Sequence, residues 1–403
     1  IFIFGFVRCN TTFMKPLNSL ILLLCIILLA GCQKKEVPAG LQEKLDSIAA
    51  GMVPQSAESI CDISLSVSED GTITAKGETD LPGAKSAIIS MLDESGVKYA
   101  DSITVLPDPA VVEKPWGLIT VSVCNVRTKP SHAAEQSTQA LMGTPVRILN
   151  KSGGWYLVQT PDSYTGWTDN DLAELSDEEL AAWKGSNRMI YLGHTGVITD
   201  SKGETVSDIV FGAILVSNGT HGDKYTVVLP DGRAGEIKKS EASDFRVWAE
   251  SASTEPQGLI RFAKLFTGAP YLWGGTSPKG VDCSGFTKTI YYFGGVIMTR
   301  DASGQFRYGD EVSIENPCES LAPGDLLYFG RVRDGKPRIT HTGMYIGDTE
   351  FIHSSGMVKV NSFDSTRTNY SAYLLEILQG ARRVTTFTEG KGLERVSKHS
   401  WYF

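Results

Sequence analysis

The spacing of apolar positions changes several times along the chain, and each change marks a candidate unit. Leu41–Met52 has helical spacing. Cys61–Val67 and Thr72–Lys76 alternate around Glu69-Asp70-Gly71, a hairpin signal. Pro82–Leu92 returns to helical spacing, and Ala100–Leu106 reads as a strand that stops at Pro107. Residues 41–110 are therefore predicted to form a small α+β module of order αββαβ. Over 116–175 the pattern becomes short strands with turn punctuation: Val121–Arg127, Pro145–Asn150, Trp155–Gln159 and Gly166–Thr168, with Gly153-Gly154 as a turn. A helical linker is expected over 176–188, with Ser176 as cap and Glu178 and Glu179 in the first turn. The short-strand rhythm repeats over 189–248, at Gly196–Thr199, Ile209–Val216, Lys224–Leu229 and Gly235–Ile237.

The unit over 254–387 reads differently. A helix is expected at Pro256–Thr267 and a second from Cys283, because Phe286, Ile290 and Phe293 follow at helical spacing. Strands follow: Leu326–Phe329 after the Pro323-Gly324-Asp325 turn, a hairpin of His341–Ile346 with Glu350–His353, and a closing strand at Leu374–Arg382. Helices before strands suit an α+β core with an antiparallel sheet. The tail 388–403 is polar until its aromatic end and suggests no role.

Candidate chemistry gathers in this last unit. A cysteine at a helix amino terminus meets unpaired amides and the positive dipole end, which favours thiolate over thiol. Cys283 is then a candidate nucleophile, His341 its general base, and His353 the group that orients the base. Strand geometry tests this set, because side chains alternate faces. A two- or four-residue turn centred on Asp348-Thr349 puts His353 opposite Met344, on the wrong face. A three-residue loop puts it opposite Gly343, beside His341. An odd-length loop or a bulge is therefore predicted.

Composition narrows the partners. The leader 1–31 carries two basic and no acidic side chains, so the chain beyond it has 36 basic against 46 acidic groups and a net charge of −10. Nucleic acid, which calls for a basic face, is not expected. Cys61, Cys124, Cys283 and Cys318 are widely spaced with no CxxC, so no metal site is expected, and no cofactor is implied. The other three read best as small buried hydrophobes.

The chain begins with Ile, so 1–13 is read as an upstream translation artefact and Met14 as the start. Residues 14–31 then have the basic start and apolar run of a signal peptide. Leu29-Ala30-Gly31-Cys32 resembles a bacterial lipobox, which implies lipidation of Cys32, a tether over 32–40 and a membrane reached through a lipid anchor. The expected location is the cell envelope, in the periplasm or at the outer membrane.

Further resemblances follow from quoted residues. The 41–110 module resembles BON-type envelope domains. Asn125-Val126-Arg127, Gly143-Thr144-Pro145-Val146 and Gly154-Trp155 resemble bacterial SH3-like half-open barrels, and 189–248 is read as a second one. Tyr271-Leu272-Trp273-Gly274-Gly275, Asp282-Cys283-Ser284-Gly285, Arg300-Asp301, Pro323-Gly324-Asp325-Leu326, His341-Thr342-Gly343 and Phe351-Ile352-His353 resemble the NlpC/p60 family of papain-like cysteine peptidases. That resemblance implies a Cys283–His341–His353 triad acting on murein peptides at the bond between D-γ-glutamate and a diamino acid. Together with two SH3-like domains it resembles the γ-D-glutamyl-L-diamino acid endopeptidases, which require a free N-terminal L-alanine. By that resemblance Asp282, Ser284, Asp301, Glu135 and Tyr164 read the substrate ammonium, while Tyr271 and Trp273 line the cleft. Ala302 stands where that subgroup often carries a polar residue. The expected fold class is α+β multidomain: a papain-like catalytic domain behind two SH3-like barrels and a small α+β module.

Overall fold

A computed structural model describes residues 36–52, 58–384 and 392–403. The lipobox, Cys32 and the signal peptide lie outside the described residues. No helix among the described residues is long and apolar enough to cross a membrane.

At the amino-terminal end, Cys61–Val67 pairs antiparallel with Ile73–Thr79, which runs parallel to Tyr99–Val105. Helices Leu41–Met52 and Pro82–Glu94 supply Leu45, Ile88 and Leu92 to a core shared with Ile63 and Ala75 of the sheet. Leu106 continues this module into a small apolar cluster with Leu149 and Leu157 of the next unit.

That next unit is a seven-stranded antiparallel sheet built between Trp116 and Leu175, closed around Val126, Val146, Ile148 and Val158. Helix Asp177–Gly185 leaves it, started by a capping box in which Ser176 and Glu179 satisfy each other's backbone amides. A second seven-stranded antiparallel sheet follows between Arg188 and Asp244. Here the apolar run Ile209–Val216, expected as one strand, is two: Thr205–Val210 and Ile214–His221. Gly212 turns the chain between them at φ +90°, a conformation open to glycine, and apolar periodicity alone cannot register such a break.

The last unit is a six-stranded antiparallel sheet in the order Asp310–Val312, Leu378–Arg383, Leu326–Arg333, Lys336–Gly347, Glu350–Ser355, Met357–Ser362. Helix Cys283–Phe293 buries Phe286 and Ile290 against Tyr328, Met344 and Ile352 of this sheet. The closing strand begins later than expected. Ser371 accepts from the Leu374 amide (3.3 Å) and starts a helix over Ala372–Glu376, so only Leu378 onward is strand.

The tail has a structural part to play. Leu393–Arg395 pairs with Val296–Met298, and Phe403 stacks on Phe245 with ring centroids 5.4 Å apart. Lys184 of the linker helix donates to the Ser400 carbonyl (2.7 Å), and Tyr402 is 2 % exposed.

Candidate active site

Asp282 caps the Cys283 helix by accepting from the Gly285 amide (2.7 Å), which places Cys283 at the first helical position. Its thiol lies beside the backbone amide of Thr342, the residue after His341, and forms part of the wall of a cleft of about 500 Å³. Cys283 is only 7 % exposed. Burial, with the nearby Asp282 carboxylate adding to it, pushes the thiol up to about 11. Burial thus works against the thiolate that the helix terminus favours.

The His hairpin solves the parity problem by the second of the two routes. Gly347 pairs with Glu350 around a two-residue turn, Asp348 and Thr349, with φ +50° and +67°. A bulge between Tyr345 and Gly347 then shifts the register, so that Met344 faces Ile352 and Gly343 faces His353. His341 and His353 consequently share a face. A side chain at Gly343 has no room, since its Cβ would sit 2.9 Å from that of His353. His341 Nε2 lies 2.7 Å from His353 Nδ1, and His353 Nε2 lies 2.9 Å from Asn361 Oδ1. Burial lowers His341 to about 3, with His353 and Lys359 acting in the same direction, and lowers His353 to about 4. Both rings are thus neutral at pH 7.

Behind the nucleophile lies a buried cluster. Arg300, 2 % exposed, forms a bidentate ion pair with Asp282 and also donates to Ser284 Oγ (3.0 Å) and Thr138 Oγ1 (3.1 Å). Asp282 accepts from the Gly274 amide (2.9 Å) as well. Its oxygens are therefore taken up by the cap, the loop and the guanidinium. Ser284 is equally engaged, donating to Asp282 (3.3 Å). Arg300 was visible in the sequence only as the neighbour of Asp301.

The first seven-stranded sheet supplies the facing wall. Glu135 accepts from the Trp273 indole (2.7 Å), and Gln136 donates to the Trp273 carbonyl (3.1 Å). The Thr276 amide donates to the Gln139 side chain (3.0 Å). Gly274, at φ +74°, lets this loop press against the sheet, because a Cβ there would meet the Gln136 carbonyl at 2.5 Å. Tyr164 donates to Asp301 (3.2 and 3.3 Å to its two oxygens). Burial raises the Asp301 carboxyl, against a lowering by Arg300. Glu135, Tyr164, Tyr271, Trp273, Asp282, Cys283, Ser284 and Asp301 all line the one cleft. From the His hairpin, Ile339 and Thr340 line it, whereas His341 and His353 are not among its lining residues. Among the described residues, no group of three or more His, Cys, Asp or Glu is placed to hold a metal ion.

Comparison with known proteins agrees with this geometry. The NlpC/P60 family pattern matches residues 268–379, and the bacterial SH3 domain pattern matches 122–173. A γ-D-glutamyl-L-lysine dipeptidyl-peptidase of Bacillus cereus is 31 % identical over 268 residues, which span 63 % of this chain and 76 % of the relative. The chain belongs to the NlpC/P60 family. Dipeptidyl-peptidase 6 of Lysinibacillus sphaericus is 27 % identical over 268 residues, 63 % of this chain and 93 % of that protein. The crystal structure of an NlpC/P60 family protein from Bacillus cereus superposes with a TM-score of 0.58 at 26 % identity, over 66 % of this chain and 99 % of that one. The shared region thus takes in an SH3-like domain as well as the NlpC/P60 unit.

Proposed function

We propose that the protein is a cysteine peptidase of bacterial cell-wall peptides. It cleaves the bond between γ-D-glutamate and the following diamino acid in peptides that keep a free N-terminal L-alanine. The observation that carries this reading is the shared cleft: the Cys283 thiol on one wall, with Asp301, Tyr164 and the barrel's Glu135 in the same depression. Relatives named dipeptidyl-peptidases support it, because an enzyme that releases dipeptides must read an amino terminus two residues from the scissile bond. With Asp282 committed to Arg300, the carboxylates of Asp301 and Glu135 are the ones that meet the ammonium.

In this mechanism the Cys283 proton passes to His341 as sulfur attacks the γ-carboxamide carbon. Free amides of the first helical turn hold the developing oxyanion. The C–N bond then breaks, His341 protonates the departing amine, and a thioester remains. Water, deprotonated by His341, hydrolyses the thioester and restores the thiol. The second seven-stranded sheet is read as a second SH3-like domain, and Cys32 as the lipid-bearing residue that holds the enzyme at the envelope. Replacing Cys32 with serine should move the protein from the membrane to the soluble fraction of the cells that make it.

The test is to incubate the purified protein with L-Ala-γ-D-Glu-diaminopimelate, its L-lysine counterpart, the N-acetylated peptides and whole sacculi, and to read products by mass spectrometry. The free peptides should release L-Ala-γ-D-Glu, and Cys283→Ala should silence every substrate. Losing a hydrogen-bonded charge costs about 1.5–3 kcal/mol, so acetylation should lower kcat/KM roughly 10- to 100-fold. Equal rates on free and acetylated peptides would remove the ammonium reading. Sacculi cleaved as readily as free peptides would make it a wall-remodelling enzyme instead.

A further inference from the structure

The hydrogen-bond chain behind the base extends past the two histidines. His353 sits on strand Glu350–Ser355 with Lys359 directly across from it. Asn361, two residues beyond Lys359, is its diagonal neighbour on the same face. The Asn361 side chain is held from behind: its Nδ2 donates to the Asn369 carbonyl at 2.8 Å. That carbonyl is itself anchored, since it also accepts the Ser362 amide (3.0 Å), and the Asn369 side chain donates to Glu350 (3.0 Å). Nothing in the proposed reaction requires Asn361 to touch substrate.

We propose that Asn361 is a positioning residue which, through His353, sets the nitrogen of His341 that carries the free lone pair. The inference rests on His341 being the base of the proposed peptidase. With Nδ2 spent on Asn369, the Asn361 side chain presents Oδ1, an acceptor only, to His353 Nε2. His353 Nε2 must then carry the hydrogen, and a neutral ring so protonated has a bare Nδ1. That Nδ1, 2.7 Å from His341 Nε2, makes His341 Nε2 the donor. His341 is left with an unprotonated Nδ1, the ring nitrogen that has no protein partner among the described residues. Turn the amide over, or remove it, and the chain can invert. His353 Nδ1–H would then donate to His341 Nε2, and His341 would present a hydrogen where a base is needed.

An amide suits this task differently from a carboxylate. It accepts a hydrogen bond but takes no proton at neutral pH, so the charge His341 acquires during turnover stays on the two imidazoles. The other charged groups acting on the pair are Lys359 across the hairpin and Asp282 on the Cys283 side.

Two measurements on the full chain test the proposal. Two-bond proton–nitrogen correlation spectra at pH 7 should show both His341 and His353 neutral, with hydrogen on Nε2. Hydrogen on Nδ1 of either ring in the wild type overturns the idea, whether or not any substrate has been found. Asn361→Ala should populate Nδ1–H and lower kcat by roughly 10- to 100-fold, the range typical when the outer partner of a functional histidine is lost, with KM little changed. Asn361→Asp keeps the acceptor. It should retain the wild-type tautomers, recover most of the rate at pH 7 and move the acid limb of kcat upward, because a carboxylate favours protonation of His353. Wild-type kcat in Asn361→Ala, or an unmoved acid limb in Asn361→Asp, would leave Asn361 a merely structural residue. Correct tautomers in a chain that cleaves no murein peptide would instead count against the proposed function alone.

Discussion

At Cys283 two influences oppose each other. A helix amino terminus is worth about 0.3–1 kcal/mol to a nearby anion at an exposed site, rising to about 2 kcal/mol in favourable partly buried geometry. Withdrawal of water costs several kcal/mol when the ion lacks a full set of partners. With burial pushing the thiol up to about 11 and pulling the two imidazoles down to about 3 and about 4, the neutral form is favoured on both sides. Burial disfavours the imidazolium, so the base is disabled only once pH falls through these lowered values. The acid limb of kcat/KM should therefore lie below pH about 5, well under the ordinary histidine range near 6.5. Alkylation of Cys283 by iodoacetamide should be slow at pH 7 and climb with pH toward 10. A fast, flat alkylation rate between pH 5 and 8 would reveal a preformed thiolate–imidazolium pair and refute this account.

At the scale of the element, the hairpin shows how far the chain alone can be read. Because strand side chains alternate, the demand that His341 and His353 share a face could be turned into a demand for an extra residue between them. Whether a loop or a bulge supplies it depends on local backbone energies that alternation does not register. The structure uses the bulge between Tyr345 and Gly347. Deleting Ile346 should accordingly turn His353 to the opposite face and abolish cleavage while the circular dichroism stays native. Gly343→Ala, which forces a Cβ to 2.9 Å from that of His353 and 3.0 Å from the Ile352 carbonyl, should cost about 1–3 kcal/mol and lower activity at least tenfold. Asn361 could have been found by the same counting. Gly356, at φ +72°, marks the next turn, so that His353 pairs with Lys359, and Asn361 lies two residues further on, on the same face. Arg300 and the ionisation of Cys283 could not, since both follow from what packs around them rather than from spacing.

On the scale of the whole molecule, the units are fastened at the site and again by the carboxy-terminal tail. Arg300 ties the nucleophile's cap to Thr138 of the first barrel. Arg300→Met leaves the Asp282 charge buried without its partner and should cost about 3–5 kcal/mol, read as a lower urea midpoint. In the tail, Tyr402→Ala removes a buried aromatic packed beside Phe245 and should cost about 3–5 kcal/mol without changing KM. The indole clamp between Glu135 and Trp273 carries a separate implication. One wall of the chamber is on loan from a neighbour that does no chemistry. A catalytic fragment severed from that neighbour would still own its sulfur, its imidazoles and Asp301, yet would lose Glu135 and Tyr164 from the wall that faces its substrates. Selectivity in such a protein can drift by changes in the lender while the reacting groups stay as they are.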